Sequence, residues 1–134
     1  MSDPLRAHIE IAATAADQFM NVYYNLHDTK REFLGRLYRD SSAILWNGNA
    51  YSGVKPFSEF IEKLPKSEHT VECYDAHPLP TADPNGAASL ILNVSGTVQY
   101  KNEKSKRVFS QCFVLSMEGT SGTFYIWSDC FRFV

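Results

Sequence analysis

Three observations make this chain an α+β protein, with its helices first and long antiparallel strands after them. Between Leu5 and Leu26 apolar residues recur at spacings of four and three, the period of a helix with one buried stripe. From Leu90 onward apolar and polar residues alternate, the period of a strand with two unlike faces. Between the two blocks stands Asn47-Gly48, a hairpin signal when strand-like residues flank it. Helices in one block and strands in another suit α+β rather than repeated βαβ units.

Each element has its own reason. Asp3 followed by Pro4 reads as a helix start, with Asp as N-cap and Pro at the first helical position. The stripe behind it is Leu5, Ile9, Ala12, Ala16, Phe19, Tyr23 and Leu26. Its two alanines allow close approach to a sheet. Thr29-Lys30-Arg31-Glu32 has the form of a capping box and predicts a short second helix carrying Phe33, Leu34 and Leu37. Ser42 to Trp46 is a short strand leading into the Asn-Gly turn. Phe57, Phe60, Ile61 and Leu64 form a third helical stripe, which Pro65 ends.

Strands follow. His69 to Pro78 is one, and the Pro-rich stretch from Pro78 to Asn85 is a loop or edge excursion. In the next, Leu90, Leu92, Val94, Val98 and Tyr100 share one face, while Ile91, Asn93, Ser95, Thr97 and Gln99 share the other. In Arg107 to Met117, Phe109, Phe113, Leu115 and Met117 oppose Ser110, Cys112 and Val114. Gly119 to Gly122 turns the chain into a last strand. Strict alternation there puts Tyr125, Trp127, Asp129, Phe131 and Phe133 on one face, and Phe124, Ile126, Ser128, Cys130 and Arg132 on the other. Since loose termini fray, a final strand of this kind is expected to be held on both sides by a sheet.

With 134 residues, the chain has the common size of one domain, expected to span 1–134. The net charge of -2 and pI near 6.1 argue against gripping phosphate backbones as the main task, so no direct nucleic-acid contact is expected. The three cysteines are widely spaced and lack any Cys-x-x-Cys, which points to reduced thiols in an intracellular protein. No apolar signal core stands at Met1 to Arg6, and no run is long enough for a membrane span.

The second face of the last three strands is unusual. It carries Ile91, Asn93, Ser95, Ser110, Cys112, Val114, Ser128, Cys130 and Arg132, with Arg132 its single charge. A solvated sheet face normally carries more charge. A face half-covered by a loop is one reading. A flat surface that pairs with another chain is the sharper one, because interface centres are depleted of charge and often anchored by Arg.

Signatures of chemistry are sparse. There is no phosphate-cradling Gly loop, His-Glu-x-x-His or nucleophile elbow. His69, Cys73 and His77 share strand parity, but positions four apart on a strand lie about 13 Å apart, too far to share one ion. Tyr23, Tyr24, Asp28 and Asp129 would allow an acid–base pocket. In the competing reading Tyr23 packs in the helix stripe and Asp129 satisfies a hydroxyl or backbone donor. Lys101, Lys104, Lys106 and Arg107 read as a solvated hairpin tip.

Seven segments in this order and spacing resemble the nuclear transport factor two-like family. They are Phe19-Met20-Asn21-Val22-Tyr23-Tyr24, Leu34-Gly35-Arg36-Leu37-Tyr38, Leu45 to Gly53, Leu64-Pro65, Val94-Ser95-Gly96, Phe109 to Leu115, and Ser128-Asp129-Cys130-Phe131-Arg132-Phe133. Within that family the Trp46 to Ala50 and Ser128 to Phe133 segments resemble the NTF-two-related export proteins, the small subunits of the mRNA export receptor. The resemblance implies a cone-like bent antiparallel sheet wrapped around the long helix, and a dimer interface on the other sheet face. Asn93, Cys112, Cys130 and Arg132 match that interface, Ser95, Ser110 and Ser128 share it by parity, and Arg132 would pair with a partner carboxylate. It further implies a heterodimer with the related domain of the large receptor, nucleoporin contacts made indirectly through that partner, and shuttling between nucleus and cytoplasm.

Two departures bear on other family functions. The import branch holds Ran-GDP with an acidic residue after the Trp and an acidic hairpin, where this chain has Asn47 and Lys101-Asn102-Glu103-Lys104. Ran-GDP is therefore not an expected partner. Ala12 stands where that branch has an aromatic for Phe-Gly repeats. The expected function is a non-enzymatic adaptor in mRNA export. The alternatives are a homodimeric Ran-GDP import factor and a cone-fold isomerase or dehydratase, which needs a carboxylate deep in the cone; no cofactor is expected.

Overall fold

The computed structural model describes residues 4–79, 89–118 and 123–134. Its elements are α1 (Pro4–Thr29), a 3-10 helix (Arg31–Leu37), β1 (Tyr38–Trp46), β2 (Asn49–Ser52), α2 (Val54–Glu62), β3 (Ser67–Leu79), β4 (Ser89–Tyr100), β5 (Arg107–Met117) and β6 (Phe124–Phe133). Among the described residues six strands form one curved sheet in the order β2-β1-β6-β5-β4-β3. The class is the expected α+β, although the β1–β2 hairpin precedes α2, and β6 is held on both sides, by β1 and β5.

The helices pack on one face of this sheet. Phe19 and Tyr23 of α1 set their rings 4.9 and 4.8 Å from Phe113 of β5. Trp46 stacks on Phe131 at 3.9 Å and 7°, and Phe131 stacks on Phe109. Phe57 of α2 closes the end against Tyr38 and Trp46. Ala12 and Ala16 are fully shielded where α1 crosses the strands; small side chains let the helix axis come close.

Arg31 locks the helical layer to β3. Its guanidinium donates to the carbonyls of His27 at 3.0 Å and Ile61 at 3.2 Å, to Ser67 Oγ at 3.0 Å, and to the carbonyls of Leu64 and Pro65. Helix ends leave carbonyls short of donors, and this one side chain serves three at and just beyond the end of α2.

Several local expectations change. The buried stripe of α1 begins at Ala12, for Ile9 is exposed; periodicity marks a face but does not say that anything lies opposite it. The capping box does not form. Thr29 is the last residue of α1, and its hydroxyl donates back to the Asn25 carbonyl at 2.6 Å, the local competition that Thr side chains offer. The short second helix is a 3-10 helix without a side-chain cap. The sheet is mixed, because β1 runs parallel to β6 across the long intervening chain. Asn47 and Gly48 do turn the chain, both at positive φ, 48° and 84°, the pair of left-handed residues such a hairpin turn needs.

The largest correction concerns β6. Leu115 pairs with Ile126 and Val114 with Ser128, so Trp127 is an extra residue in a β-bulge. Alternation therefore shifts by one before Ser128. Ile126 faces the core, and Trp127 is 53% exposed. A second bulge at Glu72 divides His69 from Cys73 and His77: His69 lies opposite inward Val98, whereas Cys73 and His77 lie opposite outward Ser95 and Ile91. The shared parity of those three residues is thus broken. Asp3, the side chain of Leu5, most of the Pro-rich stretch and the Gly119 to Gly122 turn lie outside the described residues.

Candidate partner interface on the outer sheet face

The face turned away from the helices is built of cross-strand ladders. Cys73, Ser95, Ser110 and Arg132 stand opposite one another in turn on β3, β4, β5 and β6. Asp75, Asn93, Cys112, Cys130 and Leu45 form the second row and reach β1. His77, Ile91, Val114, Ser128 and Ala43 form the third. The seven residues expected at an interface (Asn93, Ser95, Ser110, Cys112, Ser128, Cys130 and Arg132) are all brought together here, because register on a sheet with one buried face is tightly set.

The face is open and poor in charge. Asn93, Ser110, Cys130 and Arg132 are exposed, and Ser95, Cys112 and Ser128 are half-buried. Cys73, Cys112 and Cys130 are free thiols. Burial, then the neighbouring Cys130, pushes the Cys112 thiol up, so it stays a small uncharged group. Arg132 makes no ion pair or hydrogen bond among the described residues. Charge returns only at the β3 edge, with Asp75 opposite Asn93. Alternation missed Trp127, since nothing local announces a bulge, and overlooked Leu45, which its place between buried Ile44 and Trp46 marks as outward.

The interior holds the other candidate site. Tyr38 donates to Asp129 Oδ2 at 2.6 Å, Gln111 Nε2 donates to Asp129 Oδ1 at 2.9 Å, and Tyr24 donates to Gln111 Oε1 at 2.8 Å. The Tyr23 hydroxyl lies 3.1 Å from that of Tyr38 and accepts from Gln111 Nε2 at 3.2 Å. Burial pushes the Asp129 carboxyl up to about 6, the tyrosine and glutamine donors offsetting part of the rise. An inward carboxylate with a raised pKa is what an acid–base site needs. Here both of its oxygens are taken and it is 1% exposed. The groove along α1, about 640 Å³ and lined by Ile11, Phe19, Val22, Leu37 and Phe124 among others, does not reach it. Asp28 serves elsewhere, accepting from Ser67 Oγ and the His69 backbone N–H and meeting the His69 ring at 2.6 Å. Among the described residues no three metal-ligating side chains gather.

A long helix closed into a curved sheet, with a sealed polar interior and a bare outer face, defines an α+β protein of the cone type. Comparison with known proteins names the family. Residues 15–133 match the nuclear transport factor 2 domain, and the chain belongs to that family. It is 38% identical over 130 residues to NTF2-related export protein 1 of Bos taurus, covering 96% of this chain and 92% of that one. It superposes on the nuclear transport factor 2 structure of Cryptosporidium parvum with a TM-score of 0.78 and 26% identity, over 92% and 94% of the chains. One chain of the Candida albicans Mtr2–Mex67 M domain complex shares the fold, with a TM-score of 0.74 and 15% identity over 92% and 96%. The Bos taurus and Cryptosporidium parvum proteins are named for export and nuclear transport.

Proposed function

We propose that this chain is a non-enzymatic adaptor that pairs through its outer sheet face with the related domain of a large mRNA export receptor. The pair supports mRNA export through nuclear pores, shuttling between nucleus and cytoplasm, and nucleoporins are met through the receptor subunit. The observation that carries this reading is the bare face on β4, β5 and β6, charge-poor at its centre, with one unpaired arginine. A lone charge in such a field suits a partner carboxylate. The export naming of the relatives supports the direction of transport. The Ran-GDP alternative lacks its acidic residue: Asn47 instead accepts the Phe133 backbone N–H at 2.8 Å and helps hold the turn to β6.

The test is co-expression with the receptor's nuclear transport factor 2-like domain from the same organism, followed by mass measurement of the purified species. A one-to-one complex is expected, weakened by about 2–5 kcal/mol in Arg132→Ala, much of it from the stranded partner charge. Wild type and variant binding equally, or neither binding, overturns the reading.

A further inference from the structure

The bulge in β6 gives the outer face a feature that alternation hides. Ile126 and Asp129 are both buried, so the two residues between them, Trp127 and Ser128, both turn outward. Trp127 is the largest apolar side chain left exposed among the described residues, and Leu45 beside Cys130 is 41% exposed. With Ala43 and Val114, which flank Ser128, they make one end of the face apolar. Arg132 stands about 16 Å along β6 at the other end.

We infer that Trp127 is the anchor of the partner interface, its indole entering an apolar pocket on the receptor domain about 16 Å from the carboxylate that Arg132 takes. This rests on the pairing proposed above. Tryptophan and arginine are the side chains that most often dominate binding energy. The bulge is the device that re-aims a side chain on an otherwise regular strand. The backbone beneath Trp127 is flanked by β1 and β5, so little ordering opposes its docking. The partner surface is thereby specified: no charge opposite Cys112 and Cys130, a carboxylate at one end and a cavity for a flat aromatic ring at the other.

Tryptophan fluorescence reads this directly, because the chain has only two tryptophans and Trp46 is buried against Phe131. Acrylamide quenching of the free chain reports Trp127. Addition of the receptor domain is expected to blue-shift the emission and abolish most of the quenching. Trp127→Ala should weaken the complex about 30-fold, with an unchanged circular dichroism spectrum, since the side chain lies outside the core. Trp127→Phe should recover part of the loss. If the receptor domain binds Trp127→Ala as tightly as wild type and quenching persists in the complex, the anchor is overturned while the pairing stands. If wild type does not bind, both are overturned.

Discussion

The hydroxyl of Tyr38 donates to Asp129 Oδ2 at 2.6 Å, joining residues 91 positions apart inside the cone. Gln111 holds the other carboxylate oxygen, and burial still pushes the carboxyl from its ordinary 3.8 up to about 6. Because the folded value is raised, the stabilising contribution is complete below pH 3.8 and is lost as pH rises through about 6. A shift of about two units corresponds to roughly 3 kcal/mol.

Asp129→Asn removes this titration. Urea denaturation of both proteins from pH 4 to 7.5 should show the stability of wild type relative to the variant falling by about 3 kcal/mol as pH rises. Tyr38→Phe should have the opposite emphasis. Loss of one donor leaves the charged carboxylate less satisfied, costing about 1–3 kcal/mol near neutral pH and less at pH 5. A difference between wild type and Asp129→Asn that is constant with pH would show that the carboxyl does not feel its burial.

His27 gives a slope of the opposite sign. It is fully buried between Tyr23, Trp46 and His69, and neither ring nitrogen has a partner among the described residues. Burial, then the charges of His69 and Arg31, holds it well below its ordinary 6.5. A lowered folded value means stability is present above pH 6.5 and lost as pH falls. His27→Phe is expected to be at least as stable as wild type at pH 7.5, and its advantage should grow toward pH 5 in thermal melts. An advantage that shrinks on acidification would contradict a buried neutral ring.

Much of this framework is legible in the sequence, and the failures have particular causes. Leu90 through Tyr100 could be assigned to inner and outer faces because period-two alternation leaves one choice, and Asn47-Gly48 could be placed because few residues accept two left-handed conformations. From that alternation came the ladder of Asn93, Cys112 and Cys130. Trp127 could not be read, since a bulge is a property of two strands in register and leaves no mark on one. Nor could the parallel pairing of β1 with β6, which depends on where a long connection returns. Asp129 is legible as inward because alternation holds from it through Phe131 to Phe133, the shift in parity lying before Ser128.

Gly96 is where the sheet tolerates no side chain. A Cβ there would lie 2.1 Å from the Thr70 carbonyl oxygen, beside the bulge at which β3 shifts register against β4. Gly96→Ala must move backbone rather than a flexible tip, so a loss of about 1–3 kcal/mol or more is expected. Gly48→Ala offers a contrast, with open space around it and only the strain of positive φ, and should be milder. Chemical denaturation of the two variants checks the order; Gly96→Ala as stable as wild type would mean that the strands sit farther apart than described.

The three thiols provide an internal ruler for the outer face. Cys73 and Cys130 are exposed and Cys112 is half-buried, with its thiol pushed up by burial and by Cys130 opposite it. Thiolate is the reactive form, so a raised pKa and reduced access act in the same direction. Iodoacetamide labelling of the native chain at pH 8, followed by peptide mass spectrometry, should modify Cys73 and Cys130 first and Cys112 slower by on the order of tenfold. Cys130 is the exposed thiol inside the second ladder, on β6 between Cys112 and Leu45, whereas Cys73 lies on the β3 edge. A partner seated over β4, β5 and β6 should therefore protect Cys130 most and Cys73 least. Equal labelling of Cys130 in the free chain and in the complex would place the partner on some other surface.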